Sequence, residues 1–495
     1  MLSILGTRKT LCDGLSRRDF LQVGGIGAFG LTLSDAACLQ AAAHRGTAFG
    51  KAKSCILLFP YGSPSSHETF DPKPGMPDVQ GEMKSMSTSV PGLHICDHLP
   101  RLAKVMDKVT VVRSMTHPYP VHGLAYAVTG LPTYTPELET RARDNRHWPF
   151  IGSVVDFVER QRSLGVINDI PRNIGLPWLV NSKTDNPAVN AGPFGAFLGA
   201  EYDPLWTDFD GAGLHLAPKN TVAQTERFRN PFGGTTPDGR FQLSPASELP
   251  ADVSIERLRM RRSLLAQFDR ERRLLDHSSQ VHVWDNQQQW AMSLLTSNKV
   301  RAALDIGHES RDLRERYGMT LFGQGCLAAR RLIEAGGKFV SVFWDCFGQF
   351  ANGAWDTHQY HYPRMKELLL PGFDLAYPAL LNDLDERGLL DETLVIWMSE
   401  HGRTPQINSK PGAGREHWSR AYSVALAGGG IARGKVVGQT TRDGGEVLDN
   451  PVSPKDILAT AFYLLGIDPH TTVPDREGRP HPIAGSGKAR SELME

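Results

Sequence analysis

The sequence predicts an α/β fold in which a mostly parallel sheet lies between two layers of helices, a three-layer α/β/α sandwich. Segments with the apolar spacing of helices alternate with short apolar segments in the C-terminal third of the chain. Strands that are apolar on both sides must be covered on both faces, which is typical of parallel sheets. The predicted strands are residues 54–59, 109–112, 338–344, 393–398 and 422–426.

Between these strands we predict helices over residues 122–129, 326–335, 364–387 and 454–465, the last capped by Ser453. Residues 131–250 are dense in Pro, Gly, Asn and Trp, which favours an irregular cap insertion in a domain that spans 44–495. Residues 255–275 have helical spacing and several arginines, and a solvated helix face explains them better than a nucleic-acid site.

Composition excludes several classes of protein. The 495 residues are 40% hydrophobic, and 54 Lys and Arg balance 54 Asp and Glu, so the chain is neither mainly disordered nor a basic nucleic-acid binder. The six cysteines form no CxxC pair, so we expect neither a disulfide scaffold nor a cysteine-based zinc site.

Residues 1–43 are typical of a twin-arginine export signal. Residues 16–21 (Ser-Arg-Arg-Asp-Phe-Leu) precede an uncharged, glycine-rich segment that is too short to span a bilayer, and three alanines follow at 41–43. We therefore expect export by the twin-arginine translocase to the periplasm or cell surface, with no transmembrane span in the mature chain. This translocase carries folded proteins, often because they hold a metal or cofactor.

Histidines and carboxylates recur just after the predicted strands. Ligands of open α/β sheets bind at the carboxyl ends of the strands, so these loops are the expected site. A cluster of this composition is typical of a divalent metal such as zinc, calcium or manganese. The candidate metal ligands are His67, Asp71, Asp356, His358, Glu400, His401 and His417, and the candidate catalytic residues are Ser65, Thr116, His122, Arg403 and Arg415.

Each of these residues taken singly fits a turn or a solvated surface equally well. Their recurrence on successive strand ends of one sheet favours function.

Residues 388–402 (Gly-Leu-Leu-Asp-Glu-Thr-Leu-Val-Ile-Trp-Met-Ser-Glu-His-Gly) resemble a segment of the sulfatases, which share a metallohydrolase superfamily with the alkaline phosphatases. The resemblance implies an alkaline-phosphatase-like fold. By analogy with the phosphoglycerate-mutase branch, Asp356, His358 and His417 would share one metal, with Glu400 and His401 on another.

The mature chain as a whole resembles an exported family known as domain of unknown function 1501. The resemblance rests on residues 69–74 (Thr-Phe-Asp-Pro-Lys-Pro), 355–358 (Trp-Asp-Thr-His), 402–405 (Gly-Arg-Thr-Pro) and 450–454 (Asn-Pro-Val-Ser-Pro). This family is placed by its fold rather than by an established reaction.

Two departures from the superfamily pattern affect the expected site. Tyr61 precedes Gly62 where the first strand normally ends in a metal-binding Asp, so His67, Glu68 or Asp71 would have to replace that ligand. The sulfatase nucleophile opens a helix that closes with Thr-Gly, and counting back from residues 129–130 leads near Pro120. The neighbouring candidates are then Thr116, His117 and His122, and the serines at 65 and 66.

The function that follows is an exported, sulfatase-like metallohydrolase that cleaves a sulfate or phosphate ester with a divalent metal. The substrate would be a small anionic ester or a sulfated polysaccharide, held by Arg403 or Arg415. A metal-bound hydroxide and a covalent route both remain open. The alternative is a catalytically inactive, metal-stabilised fold that acts as a glycan-binding or structural surface protein.

Overall fold

The computed structural model describes residues 47–119, 123–131, 138, 141–163, 170–184, 189–214, 232–243, 298–347 and 354–495. The chain divides into two compact units, Met1–Phe49 and Gly50–Glu495, and every element given below belongs to the second. Three predictions lie outside the described residues: the export signal 1–43, the site candidate His122 and the helix at 255–275.

The described residues contain long strands of a central sheet and several short hairpin strands. In chain order they are β1 (Ser54–Pro60), β2 (Ser85–Ser87), β3 (His94–Cys96), β4 (Val109–Met115), β5 (Asn173–Leu176), β6 (Leu205–Asp210), β7 (Gly213–Leu214), β8 (Gly234–Thr235), β9 (Arg240–Leu243), β10 (Phe339–Trp344), β11 (Thr393–Trp397), β12 (Gly402–Arg403), β13 (His417–Trp418), β14 (Tyr422–Ala427), β15 (Lys435–Val437), β16 (Gln439–Thr440), β17 (Val447–Asp449), β18 (Thr472–Pro474) and β19 (Pro480–Pro482).

The central sheet has nine strands in the order β15-β4-β14-β11-β1-β10-β5-β6-β9. Neighbouring strands are parallel except where β14 pairs with β4 and β11 and where β9 pairs with β6. The sheet is therefore mostly parallel, as predicted. The carboxyl ends of β1, β10 and β11, its three central parallel strands, meet at one edge.

The helices alternate with these strands. Their bounds are Pro77–Gln80, Pro100–Ala103, Leu124–Thr129, Ile151–Arg162, Asn298–Leu304, Arg311–Tyr317, Leu321–Glu334, His361–Arg364, Leu370–Glu386 and Pro454–Leu464. A π-helical stretch, Met365–Leu369, joins two of them into one long helical segment. Ser453 caps the last helix in a capping box with Asp456, as the sequence predicts.

Helices cover both faces of the sheet. On one face, Ile56 and Leu58 of β1 pack in a core cluster with residues of the helices Leu321–Glu334 and Leu370–Glu386. On the other face, the helix Ile151–Arg162 lies against β5 and β10, and the rings of Phe150 and Phe339 are 5.6 Å apart. Because β1 is buried along its whole length, its apolar residues serve both layers, and the predicted three-layer sandwich is confirmed.

The span 131–250 differs from the irregular cap that its composition predicts. In its described part it supplies β5, β6 and β9, which extend the central sheet. Strand β5 is not predicted from the sequence because it has only four residues (Asn-Ile-Gly-Leu) with a glycine among them. Gly175 leaves room for the ring of Trp206, which would lie 2.6 Å from an added Cβ.

No helix within the described ranges has the length and apolar character that crossing a bilayer requires.

Candidate metal centre

Asp356, His358 and His417 bring their side chains together at the carboxyl edge of the sheet. One ligand atom from each lies within 4.8 Å of the others. His358 Nε2 is 3.0 Å from Asp356 Oδ1 and 3.0 Å from His417 Nε2, and His417 Nε2 is 3.7 Å from Asp356 Oδ1. We call these three residues the Asp356 cluster. The structure thus brings together the three residues that the resemblance assigns to one metal.

A close backbone approach fixes Asp356, the first of these candidate ligands. The N–H of Trp355 donates to the carbonyl of Tyr61 at 2.8 Å, and Trp355 is fully buried. Gly62 has a φ of +98°, and a Cβ there would lie 2.3 Å from the backbone nitrogen of Asp356. Glycine is therefore required at 62, since only it combines this φ with so close an approach.

A short hairpin fixes His417, the last candidate ligand. Strands β12 and β13 pair antiparallel with Arg403 opposite His417. The ring of His417 packs between those of His358, at a centroid distance of 4.7 Å, and His401, at 4.6 Å. The hairpin thus brings His417 back, in a loop between two sheet strands, to the edge where β11 ends.

Glu416 orients His358 from behind. Its carboxylate contacts His358 Nδ1 and also accepts hydrogen bonds from Lys410 and Asn408. Burial raises the pKa of Glu416, but the hydrogen bonds from Lys410 and Asn408 and the charge of His358 outweigh it and lower the pKa to about 2. A carboxylate on Nδ1 leaves Nε2 as the free ligand atom of the imidazole, the arrangement that is common behind metal-binding histidines.

The donor set suits a divalent metal. For a tetrahedral ion with bonds of about 2.0–2.1 Å, neighbouring ligand atoms lie about 3.3 Å apart. The three separations in the Asp356 cluster, 3.0, 3.0 and 3.7 Å, bracket that value. A carboxylate oxygen and two imidazole nitrogens are ligands that zinc and manganese accept.

Arg403 is buried beside the cluster and acts on the ligands. Its guanidinium contacts Asp356 Oδ1 and, at 3.4 Å, His358 Nε2. The remaining N–H groups donate to the carbonyls of Gly62, Ser63 and Arg415. Because four of the five N–H groups have acceptors other than the candidate ligand atom His358 Nε2, Arg403 lacks the free pair of donors that its predicted role of holding the substrate anion requires. Arg403 instead positions Asp356 and offsets its charge.

Arg415 also bonds to protein groups, so it does not have the predicted role of holding the substrate anion. It is fully buried, and its Nε and Nη2 bind the carboxylate of Glu68 at 2.5 to 3.1 Å. Its other N–H groups donate to the carbonyls of Val79, Thr404 and Pro405. With no donor left for an anion, Arg415 ties the loop after β1 to the 404–416 loop.

Glu400 and His401 are the predicted ligands of a second metal, and both make hydrogen-bond contacts within the loops around them. Glu400 accepts hydrogen bonds from the N–H of Gly62, at 2.9 Å, and from the hydroxyl of Ser399, at 2.5 Å. His401 Nδ1 lies 2.8 Å from the carbonyl of Gly402, and its ring packs on His417. Neither joins a group of three potential ligands within the described part of the chain.

The sequence predicts His67 and Asp71 as candidate metal ligands, but neither joins the Asp356 cluster. His67 Nε2 lies 2.8 Å from the carbonyl of Asp443. Asp71 binds Lys73 Nζ at 3.0 Å and accepts a hydrogen bond from Thr440. Both therefore anchor the loop after β1 to the 440–443 region, and the position of the missing strand-end Asp is filled by the buried side chain of Tyr61.

Of the predicted hydroxyl nucleophiles, Ser65 is buried with no hydrogen-bond partner for its Oγ, and Thr116 donates its backbone N–H to Val452. Sequence reasoning gave too little weight to Ser63. Its φ is +68°, unusual for a residue with a side chain, and its buried Oγ also has no partner. Arg403 Nε binds its carbonyl at 3.0 Å, which joins Ser63 to the Asp356 cluster. The feature of the sequence that could have identified Ser63 is its place in the turn directly after β1.

The fold and this edge define an α/β sandwich with a candidate metal centre at the carboxyl ends of its central strands. The chain belongs to the family described as protein of unknown function (DUF1501), which matches residues 52–494. No curated protein sequence matches the chain.

Solved structures similar to this chain are distant in sequence. A protein of the alkaline phosphatase superfamily from Vibrio parahaemolyticus is 11% identical, covers 91% of this chain and 74% of its own, and has a TM-score of 0.38. A sulfatase from Pseudoalteromonas sp. is 11% identical, with coverages of 84% and 68% and a TM-score of 0.36. A phosphonate monoester hydrolase from Silicibacter pomeroyi is 10% identical, with coverages of 89% and 76% and a TM-score of 0.32.

Proposed function

We propose that this protein is a hydrolase of sulfate or phosphate esters that uses a divalent metal held by Asp356, His358 and His417. The observation that carries the proposal is the geometry of the Asp356 cluster, in which one carboxylate and two imidazoles converge at tetrahedral-edge distances. The cluster lies at the carboxyl edge of a mostly parallel sheet, where ligands of this fold class bind. A divalent cation there supplies Lewis-acid polarisation of a sulfuryl or phosphoryl oxygen.

The residues around the cluster have separate roles in this proposal. Glu416 holds His358 in the orientation that presents Nε2. Arg403 holds Asp356 in place through a direct contact with Oδ1. Both are positioning residues, because each acts through a ligand rather than on the substrate.

Ser63 is our candidate nucleophile. Its Oγ would form a bond to sulfur or phosphorus while the bond to the alcohol oxygen breaks, and that oxygen would leave with the proton. Water would then release the sulfate or phosphate and restore the hydroxyl. Support comes from its left-handed backbone conformation, its hydroxyl without a hydrogen-bond partner and its link to the cluster through Arg403.

The test is to measure metal content and ester hydrolysis on the same samples. Protein purified without chelators is analysed by plasma mass spectrometry and assayed with p-nitrophenyl sulfate and p-nitrophenyl phosphate. His417→Ala is expected to lower bound metal and to reduce hydrolysis at least 100-fold, whereas the control His94→Ala, in an exposed hairpin, retains both. Full activity in His417→Ala overturns the proposal.

The hydrogen bonds that Arg403 and Arg415 make to protein groups favour a second candidate function, glycan binding without catalysis. Since both guanidinium groups have protein acceptors for their N–H groups, neither offers a free fork to a substrate anion. A metal-stabilised but inactive fold that binds a glycan is consistent with this. Metal binding without turnover, together with retention on a sulfated polysaccharide column, would identify this second function.

We also propose that the protein is exported and acts on sulfated polysaccharide or a small anionic ester outside the cytoplasm. The support is the Ser-Arg-Arg-Asp-Phe-Leu segment at 16–21 and the glycine-rich segment after it. Replacing Arg17 and Arg18 by Lys is expected to leave the protein in the cytoplasm. Normal export of that variant would contradict the assignment.

A further inference from the structure

A second group of potential metal ligands lies away from the Asp356 cluster, at the end of the β2–β3 hairpin. It consists of Cys96, Asp97 and His98, which offer ligand atoms within 4.8 Å of one another. Met83, just before β2, adds a thioether: its Sδ is 3.6 Å from Cys96 Sγ. We call these four residues the Cys96 cluster. It contains two sulfur atoms, one imidazole and one carboxylate.

The hairpin holds these side chains in register. Cys96 pairs with Ser85 across the two strands. Beyond the pair, the N–H of Asp97 donates to the carbonyl of Lys84 at 2.9 Å, and the N–H of Lys84 donates to Asp97 Oδ1 at 3.0 Å. The carbonyl of Met83 accepts a hydrogen bond from Gln80. The ligand atoms are therefore placed by backbone contacts rather than by flexible side chains alone.

Two of the three known separations lie close to the edges of a tetrahedral site with sulfur ligands, whereas the separation of Asp97 from His98 is about 0.4 Å shorter and has the length of a hydrogen bond. With bonds of about 2.3 Å to sulfur and about 2.0–2.2 Å to nitrogen or oxygen, the edges are about 3.8 Å between two sulfurs, 3.6 Å between sulfur and oxygen and 3.4 Å between nitrogen and oxygen. The observed distances are 3.6 Å from Cys96 Sγ to Met83 Sδ, 3.8 Å from Cys96 Sγ to Asp97 Oδ1 and 3.0 Å from Asp97 Oδ1 to His98 Nδ1.

Access to the cluster is one-sided. Cys96 and Met83 are buried in the core, whereas the side chains of Asp97 and His98 are about one-third exposed, at 32% and 33%. An ion arriving from solvent therefore meets oxygen and nitrogen first and sulfur behind them. A site with buried sulfur atoms behind a polar, partly exposed edge favours a weakly hydrated, polarisable cation.

We propose that Met83, Cys96 and His98 bind Cu(I), with Asp97 beside them as a hydrogen-bond partner of His98. Thioether and thiolate together select Cu(I) among the biological metals, because zinc sites use thiolate, imidazole and carboxylate but not thioether. Binding forms the Cu–Sγ bond and releases the thiol proton of Cys96 to solvent, and the copper stays in its Cu(I) state throughout. The site is separate from the Asp356 cluster and does not depend on the hydrolase proposal.

The test is an anaerobic titration of the full chain with Cu(I) against the chromophoric chelator bicinchoninate. The intact protein is expected to withdraw one equivalent of Cu(I) from the chelator. Met83→Leu conserves volume and is expected to weaken binding at least 10-fold, and Cys96→Ser is expected to abolish it. Met86→Leu and Cys326→Ser are the matched controls, because each removes the same kind of sulfur elsewhere and should bind as the intact chain does.

Two results overturn the proposal. One is that the intact chain fails to compete with the chelator. The other is that Met83→Leu and Cys96→Ser bind Cu(I) as tightly as the two controls. Because Met83→Leu retains a well-filled core, it reports on the site even where Cys96→Ser fails to fold. The divalent metal content of Met83→Leu should equal that of the intact chain, which separates this site from the Asp356 cluster.

Discussion

The backbone N–H of Gly62 donates a hydrogen bond of 2.9 Å to Glu400 Oε1, which ties the end of β1 to the end of β11. The second oxygen of Glu400 accepts the hydroxyl of Ser399. The carboxylate that the sulfatase resemblance assigns to a metal thus also braces the loops that carry the candidate centre.

Replacing Gly62 by Ala is expected to destabilise the fold and displace Asp356. The added Cβ would lie 2.3 Å from the backbone nitrogen of Asp356, so the strand ends must separate. We expect a loss of about 3 kcal/mol or more in the free energy of unfolding, measured by denaturant titration, together with loss of bound metal. Gly92→Ala is the control, because Gly92 has a φ of +81° but open space around its Cβ; it should cost only about 1 kcal/mol.

Arg415→Met is expected to destabilise the protein rather than to weaken substrate binding. The substitution leaves the fully buried Glu68 with His361, at 3.2 Å, as a remaining partner, and burial lowers the pKa of His361 and favours its neutral form. Removing one member of such a buried pair costs about 3–5 kcal/mol. The double variant Glu68→Gln/Arg415→Met should recover part of this loss. Unchanged stability with a raised KM would instead restore Arg415 as an anion-binding residue.

Ser63→Ala is expected to reduce ester hydrolysis at least 100-fold without changing the metal content. The reason is that the Ser63 hydroxyl has no structural partner, so its removal leaves the network around Arg403 intact. Ser341→Ala is a matched control, since Ser341 is equally buried and its hydroxyl also has no partner, but it lies within β10. Retained hydrolysis in Ser63→Ala would point to direct attack by water.

Stability should fall on acidification because His117 is held neutral. Burial lowers its pKa from 6.5 to about 4. Its Nδ1 accepts the N–H of Tyr119, and its Nε2 lies 2.8 Å from the carbonyl of Glu400. Between pH 6.5 and 4, His117 is protonated in the unfolded chain but stays neutral in the native state. The free energy of unfolding therefore falls across this window, by on the order of 3 kcal/mol.

His117→Gln should remove this component of the pH dependence, measured as the change in unfolding free energy between pH 7 and pH 4. His308→Gln, at an exposed site, should leave the pH profile unchanged. A profile in His117→Gln identical to that of the intact chain would show that His117 is not the responsible group.

The sequence predicts the sheet because apolar spacing is a local rule, and the order of strands together with the resemblance predicts that Asp356, His358 and His417 meet. The strand at 393–398 is a two-sided apolar run, and it is found as Thr393–Trp397. Asp356, His358 and His417 converge because the loops after parallel strands meet at one edge. The short strand β5 was missed because four residues with a central glycine carry too little pattern.

The partners of charged side chains were beyond sequence reasoning. Arg403 and Arg415 look alike in sequence, and only the fold shows that one contacts Asp356 while the other pairs with Glu68. The direction of the loop after β1 was likewise unknown, since Asp71 pairs with Lys73 and hydrogen-bonds to Thr440, far along the chain. Long-range pairing of this kind depends on tertiary geometry that no local spacing encodes.

The reversed direction of β14 has a consequence for how members of this family can diversify. Because β14 runs antiparallel to β11, the chain leaves one strand and enters the next at the same edge of the sheet. The β12–β13 ladder clamps both ends of the intervening segment, with Arg403 opposite His417. Residues 404–416 form a loop closed at its base, so changes within the loop can reshape the approach to the candidate metal centre while β12 and β13 keep their pairing.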